Sequence, residues 1–367
     1  MAKNIVVCCD GTGNSFDQIQ KDSNVAKLYS CITIDASQVC YYHPGVGTMG
    51  AQNVRWWIAR QWWRLKGLAF GAGLLANVGD AYRFLMDEYA DGDKIYLFGF
   101  SRGSYTVRAL ASLLHVFGLL CRGNHGAIPY ILRMYSHRTR VANHKHVTFP
   151  VDEAFKWQFT DSRPVEIHFC GIWDTVSSYG WVYNPIKLPF IGNNPIVRTG
   201  RHAVSIDERR FFYQDNLWGQ PGPGQDIRQV WFSGVHSDVG GSYLEKGSGL
   251  SKVAFEWLLV EGQKAGLIIQ RAKAETILGR VPPKVVGLPH YVPPNENGKL
   301  HKSLWGPWWL VEYLPHRDPH KGGGCYLPLG RRRKIPEGSF IHELSLKSKR
   351  FPKNLPKHYQ IEPHQPF

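Results

Sequence analysis

The sequence lacks the segments that would direct a chain into or across a membrane. Its N-terminus, MAKNIVVCCDGTG, has neither the apolar core nor the small-residue cleavage site of a secretory signal. The least polar stretch, Gly67 to Val78, is too short and too rich in glycine to span a bilayer. We therefore expect a folded cytoplasmic protein, with export without a signal peptide as the alternative.

Cysteine patterns that would indicate disulfides or a zinc site are also missing. The seven cysteines are odd in number, and no two of them have C-x-x-C spacing. Adjacent Cys8 and Cys9 would point to opposite faces of a strand, so they are poor disulfide partners for each other. Free thiols that fill a core in a reducing compartment are the simplest interpretation. We predict no metal and no cofactor.

Charge of one sign is in excess. The chain of 367 residues has 44 basic and 29 acidic residues, a formal net charge of +15. Such a surface favours anionic partners such as acidic lipid, phosphate-bearing substrates or nucleic acid, or it is basic without a dedicated partner. Hydrophobic residues make up 43% of the chain, which is ordinary for a folded protein with a sizeable core.

Strand and helix patterns alternate over residues 1–280. Segments with helical spacing separate short β-rich runs, which lie at 4–9, 39–42, 94–100, 165–173 and 229–235. This alternation predicts an α/β fold with a mostly parallel central sheet and helices on both faces. We assign residues 1–280 to one catalytic domain. Residues 281–367 are rich in proline, aromatic and basic residues, and we expect an irregular extension packed on the same domain.

The motif Gly99-Phe-Ser101-Arg-Gly103 follows a predicted buried strand and precedes a predicted buried helix. That context is typical of the nucleophile elbow of α/β-hydrolases, where small residues on either side of a strained serine clear the neighbouring backbone. The motif therefore predicts an α/β-hydrolase-like fold with Ser101 as the nucleophile and Gly99 and Gly103 as the elbow glycines. A tight turn with an idle serine is the alternative.

An acid and a base follow Ser101 in the chain order of this fold. Asp174 and His236 each come directly after a predicted strand. Asp174 would orient the imidazole of His236, and His236 would take the proton from the serine. A capping role for Asp174 and a core role for His236 are the alternatives, and His236 with Asp238 supplies only two of the ligands that a metal needs. Rival bases are His202, His316 and His342.

A serine hydrolase also needs donors for the oxyanion of its tetrahedral intermediate. One donor should be the backbone N–H of Arg102, the residue after the nucleophile. The glycine-rich turn at 10–14 after the first strand fits the second donor, and we assign it to Gly11 and Thr12. The same turn does not fit a haloacid-dehalogenase phosphatase, which needs aspartate where Cys8 stands, and the chain lacks the Gly-Lys-Ser/Thr of a P-loop.

Tryptophan and basic residues alternate in the segment RWWIARQWWRLK at 55–66. This composition is typical of segments at a membrane interface, which predicts peripheral contact with an anionic membrane. Four tryptophans that pack in a core or cover a pocket are the alternative. The residue pattern is compatible with both interpretations, the membrane contact and the packed tryptophans.

Seven blocks between about residue 4 and residue 265 resemble one known family. They are VVCCDGTGN, YYHPGVGT, FGAGL…AYRFL, GDKIYLFGFSRGSYTVRAL, GIWDTV, RHAVSIDERR and VWFSGVHSDVGGSY. The family is a group of uncharacterised-domain α/β-hydrolases that includes the type VI secretion phospholipase effectors of bacteria. The resemblance implies that Ser101, Asp174 and His236 are a catalytic triad. It also implies phospholipase A-like cleavage of glycerophospholipid acyl esters, and it leaves a secretion or immunity partner open.

Three functions remain in competition. The first is a serine esterase that cleaves phospholipid acyl chains through an acyl-enzyme. The second is a cytoplasmic esterase, thioesterase or acyltransferase that uses the same triad on a non-lipid substrate. The third is a non-catalytic basic module that binds a membrane or nucleic acid. The ordered serine, acid and base argue for the first, so we expect an ester substrate and no nucleic-acid partner.

Overall fold

The computed structural model describes residues 2–11, 21–45, 67–141, 150–160, 164–176, 180–181, 184–185, 188–306, 308–317 and 325–367. Two features singled out in the sequence, Thr12 and the tryptophan-rich segment 55–66, lie outside the described residues. In the described part of the chain, no helix is both long and apolar enough to cross a bilayer.

Eight parallel strands form one sheet, in the order β8-β7-β6-β5-β4-β3-β1-β2. The strands are β1 Asn4–Cys9, β2 Gln38–His43, β3 Lys94–Phe100, β4 Ile167–Trp173, β5 Val197–Ser205, β6 Asp226–Phe232, β7 Phe340–His342 and β8 Gln360–Glu362. Two antiparallel ladders lie outside this sheet and pair Gly180–Trp181 with Asn184–Pro185 and His316–Arg317 with Cys325–Tyr326. The parallel sheet of the predicted α/β-hydrolase-like fold is thus confirmed.

Helices cover both faces of the sheet. They are α1 Asn24–Cys31, α2 Gly67–Glu88, α3 Arg102–Phe117, α4 Ile128–Val141, α5 Pro150–Phe159, α6 His236–Gly240, α7 Gly249–Lys264, α8 Arg271–Ile277, α9 Trp308–Glu312 and α10 Glu343–Lys347. One core layer contains side chains of α2, α3 and α4, and a second contains side chains of α1, α7 and α8. The central sheet is therefore buried on both sides.

Strand β1 shows how the sequence encodes this two-sided burial. Ile5, Val7 and Cys9 lie in the layer under α2 and α3, whereas Val6 and Cys8 lie in the layer under α1 and α7. Successive side chains of a strand point to opposite faces, so a strand covered on both faces needs apolar residues at every position. This is why residues 5–9 of the strand, IVVCC, are apolar without alternation.

The C-terminal segment differs from its sequence-based expectation of irregular structure. Strand β7 pairs with β6, and β8 pairs with β7, so the segment extends the sheet by two strands. Each of these strands has only three residues. Runs this short carry too few residues to show a periodic hydrophobic pattern.

Candidate active site

The Ser101 turn joins β3 directly to α3 and has the backbone of a strained elbow. Ser101 has φ 58° and ψ −119°, a conformation that costs a non-glycine residue free energy. Its N–H donates to the carbonyl oxygen of Trp173 at 3.0 Å, which ties the turn to the end of β4. The sharp turn holds the serine at the carboxyl end of the sheet, where ligands bind in open α/β folds.

The two elbow glycines are required by close backbone contacts. A Cβ on Gly103 would lie 2.0 Å from the carbonyl oxygen of Cys9, and a Cβ on Gly99 would lie 2.6 Å from the amide nitrogen of Ser104. Either side chain would force β1, β3 and α3 apart. The spacing in the motif therefore reflects how closely the helix passes over the strands.

Asp174 and His236 are brought together although they are 62 positions apart in the chain. Asp174 follows β4, His236 begins α6, and the Nδ1 of His236 lies 2.6 Å from the Oδ2 of Asp174. Both side chains are buried. The ring of Phe100, next to Ser101, stacks on the imidazole with centroids 4.7 Å apart. In the part of the chain that the structure describes, no hydrogen bond joins Ser101 to His236.

Arg333 is a partner of Asp174 that the sequence analysis missed. Its Nη1 donates to the Oδ1 of Asp174 at 2.6 Å, and its Nη2 donates to Oδ2 at 3.1 Å. The same Nη1 donates to the hydroxyl of Ser205 at 2.7 Å. In the sequence this residue is one of four basic residues at 331–334, and nothing in that run marks which one is buried.

These contacts set the protonation of the pair. Burial by itself raises the pKa of Asp174, but the Arg333 guanidinium and the bond from His236 outweigh it and hold that pKa well below its ordinary value. Burial lowers the pKa of His236 below 6.5, and the bond to Asp174 offsets only part of this effect. The imidazole is therefore neutral at pH 7 and able to accept a proton.

Glu208 supports the backbone of His236 from a second side. Its Oε2 accepts from the amide of His236 at 3.1 Å and from Arg210 at 2.9 Å. Its Oε1 accepts from the hydroxyl of Ser303 at 3.0 Å. Burial raises the pKa of Glu208, but the Arg210 contacts dominate and lower it to about 2. Glu208 lies within the block RHAVSIDERR, where the sequence shows no function for it.

The turn after β1 lies close to Ser101. A Cβ on Gly11 would be 3.4 Å from the Cβ of Ser101. The N–H of Gly11, however, donates to the Oδ1 of Asp10 at 2.6 Å. The other oxygen of this carboxylate accepts from Ser23 at 2.5 Å and from Tyr42 at 2.7 Å. The amide of Gly11 is therefore engaged within its own turn.

The rival bases that the structure describes have other surroundings. The Nε2 of His202 accepts from the amide of Thr175 at 3.2 Å, and burial lowers the pKa of His202 to about 3. Burial also lowers the pKa of His342 to about 3, and its ring stacks on Phe232 at 4.7 Å. Both are neutral core histidines. The side chain of His316 lies outside the described residues.

The metal alternative for His236 and Asp238 has no further support. The Oδ1 of Asp238 lies 2.6 Å from the Nδ1 of His301. Among the residues that the structure describes, no group of three or more His, Cys, Asp or Glu side chains could hold a metal ion.

Comparison with known proteins identifies a family to which this chain is similar. The family model for the catalytic domain of Tle1-like phospholipase effectors of type VI secretion systems (T6SS) matches residues 3–261. A protein of Saccharomyces cerevisiae described as uncharacterized is 35% identical over 216 residues, which are 57% of this chain and 31% of that protein.

A crystal structure of an uncharacterized protein from Pseudomonas aeruginosa is also similar. It is 18% identical, has a TM-score of 0.43, and the match covers 79% of this chain and 49% of that chain. This chain therefore spans half or less of the length of both relatives.

Proposed function

Because this chain belongs to the family of Tle1-like phospholipase effector catalytic domains, we propose that it is a serine esterase that cleaves acyl esters of glycerophospholipids. The observation that carries the proposal is the convergence of the strained Ser101 turn and the buried Asp174–His236 pair at one end of the sheet. A secreted effector is the biological context that we propose from the family. Contact with an anionic membrane and an immunity partner stay predictions.

The proposed reaction has two halves. In acylation, the Nε2 of His236 takes the Ser101 proton while the Oγ attacks the ester carbonyl carbon, and the alcohol leaves with that proton as the carbon–oxygen bond breaks. In deacylation, water attacks the acyl-enzyme, His236 accepts its proton, and the serine leaves with that proton as the fatty acid is released. The bond between Ser101 and His236 would form when substrate closes the site, as is common for catalytic hydrogen bonds.

The oxyanion would be stabilised by backbone amides at the start of α3 and in the turn after β1. The N–H of Arg102 suits the first position because it begins the helix behind the serine. Gly11 could donate only if its N–H left the Asp10 carboxylate. Thr12 therefore becomes the preferred second donor of the two that we assigned.

Labelling by a fluorophosphonate probe tests the proposal. The native protein should be labelled, and Ser101→Ala and His236→Ala should both lose labelling, because the probe reacts only with a serine that a base activates. Ser30→Ala, which removes an exposed hydroxyl, is the matched control and should label normally. Equal labelling of Ser101→Ala, or a folded native protein that stays unlabelled even with anionic vesicles, would refute the proposal.

The pH dependence of hydrolysis should report His236. Its burial lowers its pKa, so the base stays neutral to a lower pH than an exposed histidine would. We expect kcat/KM to rise with pH and to reach half of its maximum below pH 6.5, the ordinary histidine value. Hydrolysis of a water-soluble p-nitrophenyl ester, assayed from about pH 4 to about pH 9, covers the range in which histidine titrates and measures this acid limb. A midpoint above 6.5 would assign the limb to another group.

A further inference from the structure

The structure contains a cavity of about 490 Å³. Most of its lining comes from a stretch of the C-terminal segment, 299–308, and the rest comes from Arg210 and Tyr243. The stretch 299–308 lies beyond residues 3–261, which the family model matches. The cavity is thus built largely from residues outside the region that the family model matches.

The cavity is one aromatic ring away from His236. The Tyr213 ring lies 4.8 Å from the His236 ring and 5.9 Å from Trp308, which lines the cavity. The guanidinium of Arg210, which also lines the cavity, lies 3.6 Å from the centroid of the same Tyr213 ring. A single ring, that of Tyr213, therefore contacts both His236 and the Trp308 side chain that lines the cavity.

The charged lining of the cavity is cationic. Arg210 is paired with Glu208, and His301 is paired with Asp238. Lys299 and Lys302 are exposed in the lining. Neither lysine forms an ion pair with any residue that the structure describes. Two ammonium groups without an ion-pair partner among the described residues favour an anion with several acceptor oxygens, which is the chemistry of a phosphate.

Apolar side chains continue from the cavity along the chain. Trp305 lines the cavity and is 65% exposed, and Leu310 and Tyr313 in and after α9 are 73% and 62% exposed. A free phosphate or a small phosphorylated metabolite would not bury these apolar side chains. A phosphate attached to acyl chains would, because the chains can cover the apolar side chains while the phosphate contacts the lysines.

We propose that this cavity binds the phosphate of a glycerophospholipid head group, with Lys299 and Lys302 as its principal contacts. The inference rests on the proposed function and adds to it the place where the phosphate of the lipid would bind. The short glycerol link between phosphate and acyl esters then places an ester near His236 while the phosphate occupies the cavity.

Direct binding tests the phosphate chemistry without any turnover. In calorimetric titrations, sn-glycerol 3-phosphate should bind the native chain, and Lys299→Gln/Lys302→Gln should raise the Kd about tenfold or more because two charge-assisted contacts are lost. Lys353→Gln/Lys357→Gln, which changes two exposed lysines of the same segment, is the charge-matched control and should leave the Kd unchanged. Inorganic phosphate is titrated in parallel as the free-anion probe.

Lipid hydrolysis tests whether the phosphate belongs to a lipid. In mixed micelles, the ratio of kcat/KM on dioleoylphosphatidylglycerol to kcat/KM on dioleoylglycerol should fall about tenfold in Lys299→Gln/Lys302→Gln and stay unchanged in the control double variant. The change should be mainly in KM, because the contact is made in both the ground state and the transition state.

Each outcome decides the proposal. Weaker binding together with a lower ratio supports a head-group site. Weaker binding of glycerol 3-phosphate and inorganic phosphate with an unchanged ratio identifies a free-phosphate site and overturns the lipid assignment. Unchanged binding overturns the site itself. If neither lipid is hydrolysed by the native chain, the esterase function fails and the lipid assignment fails with it, while the titrations still decide whether the cavity binds phosphate.

Discussion

Replacing Asp174 by asparagine should lower kcat about 10⁴-fold, the size of effect expected when the base is held in the wrong tautomer. The Oδ1 of Asp174 accepts from Arg333 at 2.6 Å and from the amide of Ser205 at 2.8 Å, whereas Oδ2 faces the Nδ1 of His236 and accepts from Arg333 at the longer distance of 3.1 Å. The one oxygen of an asparagine would stay with the donors on the Oδ1 side. Its NH₂ group would then donate to the Nδ1 of His236. The proton of the imidazole would be on Nε2, and that nitrogen could not accept the proton of Ser101.

The measurement is steady-state hydrolysis of a soluble ester by purified, folded protein, with circular dichroism to establish folding. Asp215→Asn is the matched control, because Asp215 lies 3.9 Å from the Nε of Arg333 and makes no described contact with His236. We expect the control to retain kcat within about threefold, as for most changes outside a catalytic network. A kcat of Asp174→Asn within tenfold of native would exclude Asp174 as the acid that orients the base.

Replacing Arg333 by glutamine should lower both stability and activity. Its side chain is 5% exposed and that of Asp174 is 1% exposed, so the change leaves a buried carboxylate without its main counter-charge. Breaking such a pair costs about 3 kcal/mol of the free energy of unfolding. We expect kcat to fall about 10²-fold, because the carboxylate that orients His236 loses two of its hydrogen bonds and can shift.

A pH profile separates positioning of the pair from general stability. Arg333 offsets the negative charge of Asp174, so its removal should raise the pKa of His236 and move the acid limb of kcat/KM to higher pH. Arg332→Gln is the matched control, since Arg332 is 38% exposed and pairs with Asp207 instead. The control should change neither the limb nor the midpoint of urea unfolding. An unchanged acid limb of kcat/KM in Arg333→Gln would show that Arg333 contributes to stability and not to the pKa of His236.

Short-range patterns in the sequence were sufficient for the fold class and the family. The apolar run of β1 and the Gly99–Gly103 motif predicted strands, a turn and a helix that the structure contains. Seven sequence blocks between about residue 4 and residue 265 indicated the phospholipase effector family, which the match over residues 3–261 confirms. The first strand and the serine turn are each encoded within about ten residues, because strand burial and turn strain depend on immediate neighbours. The catalytic roles of Ser101, Asp174 and His236 stay predictions until the labelling and kinetic tests are done.

Strand β5 shows a limit of pattern reading within the matched region. Its sequence, VRTGRHAVS, mixes polar and apolar residues, and it was not predicted as a strand. Its charged Arg201 is buried because it pairs with Glu261 at 2.6 Å and with Asp226 at 2.5 Å. Tertiary pairing therefore overrides the local polarity of this segment.

The sequence by itself determined the α/β class with a mostly parallel sheet, the strained serine turn and the chain order of Ser101, Asp174 and His236. Only the tertiary structure decided which of four consecutive basic residues reaches Asp174, that Glu208 accepts from the backbone of His236, and that Asp10 accepts from the amide of Gly11. Arg333 lies 159 positions from Asp174, and no local periodicity records a contact over that distance. Such contacts depend on how the completed sheet brings distant loops together, because burial and charge pairing act through space and not along the chain.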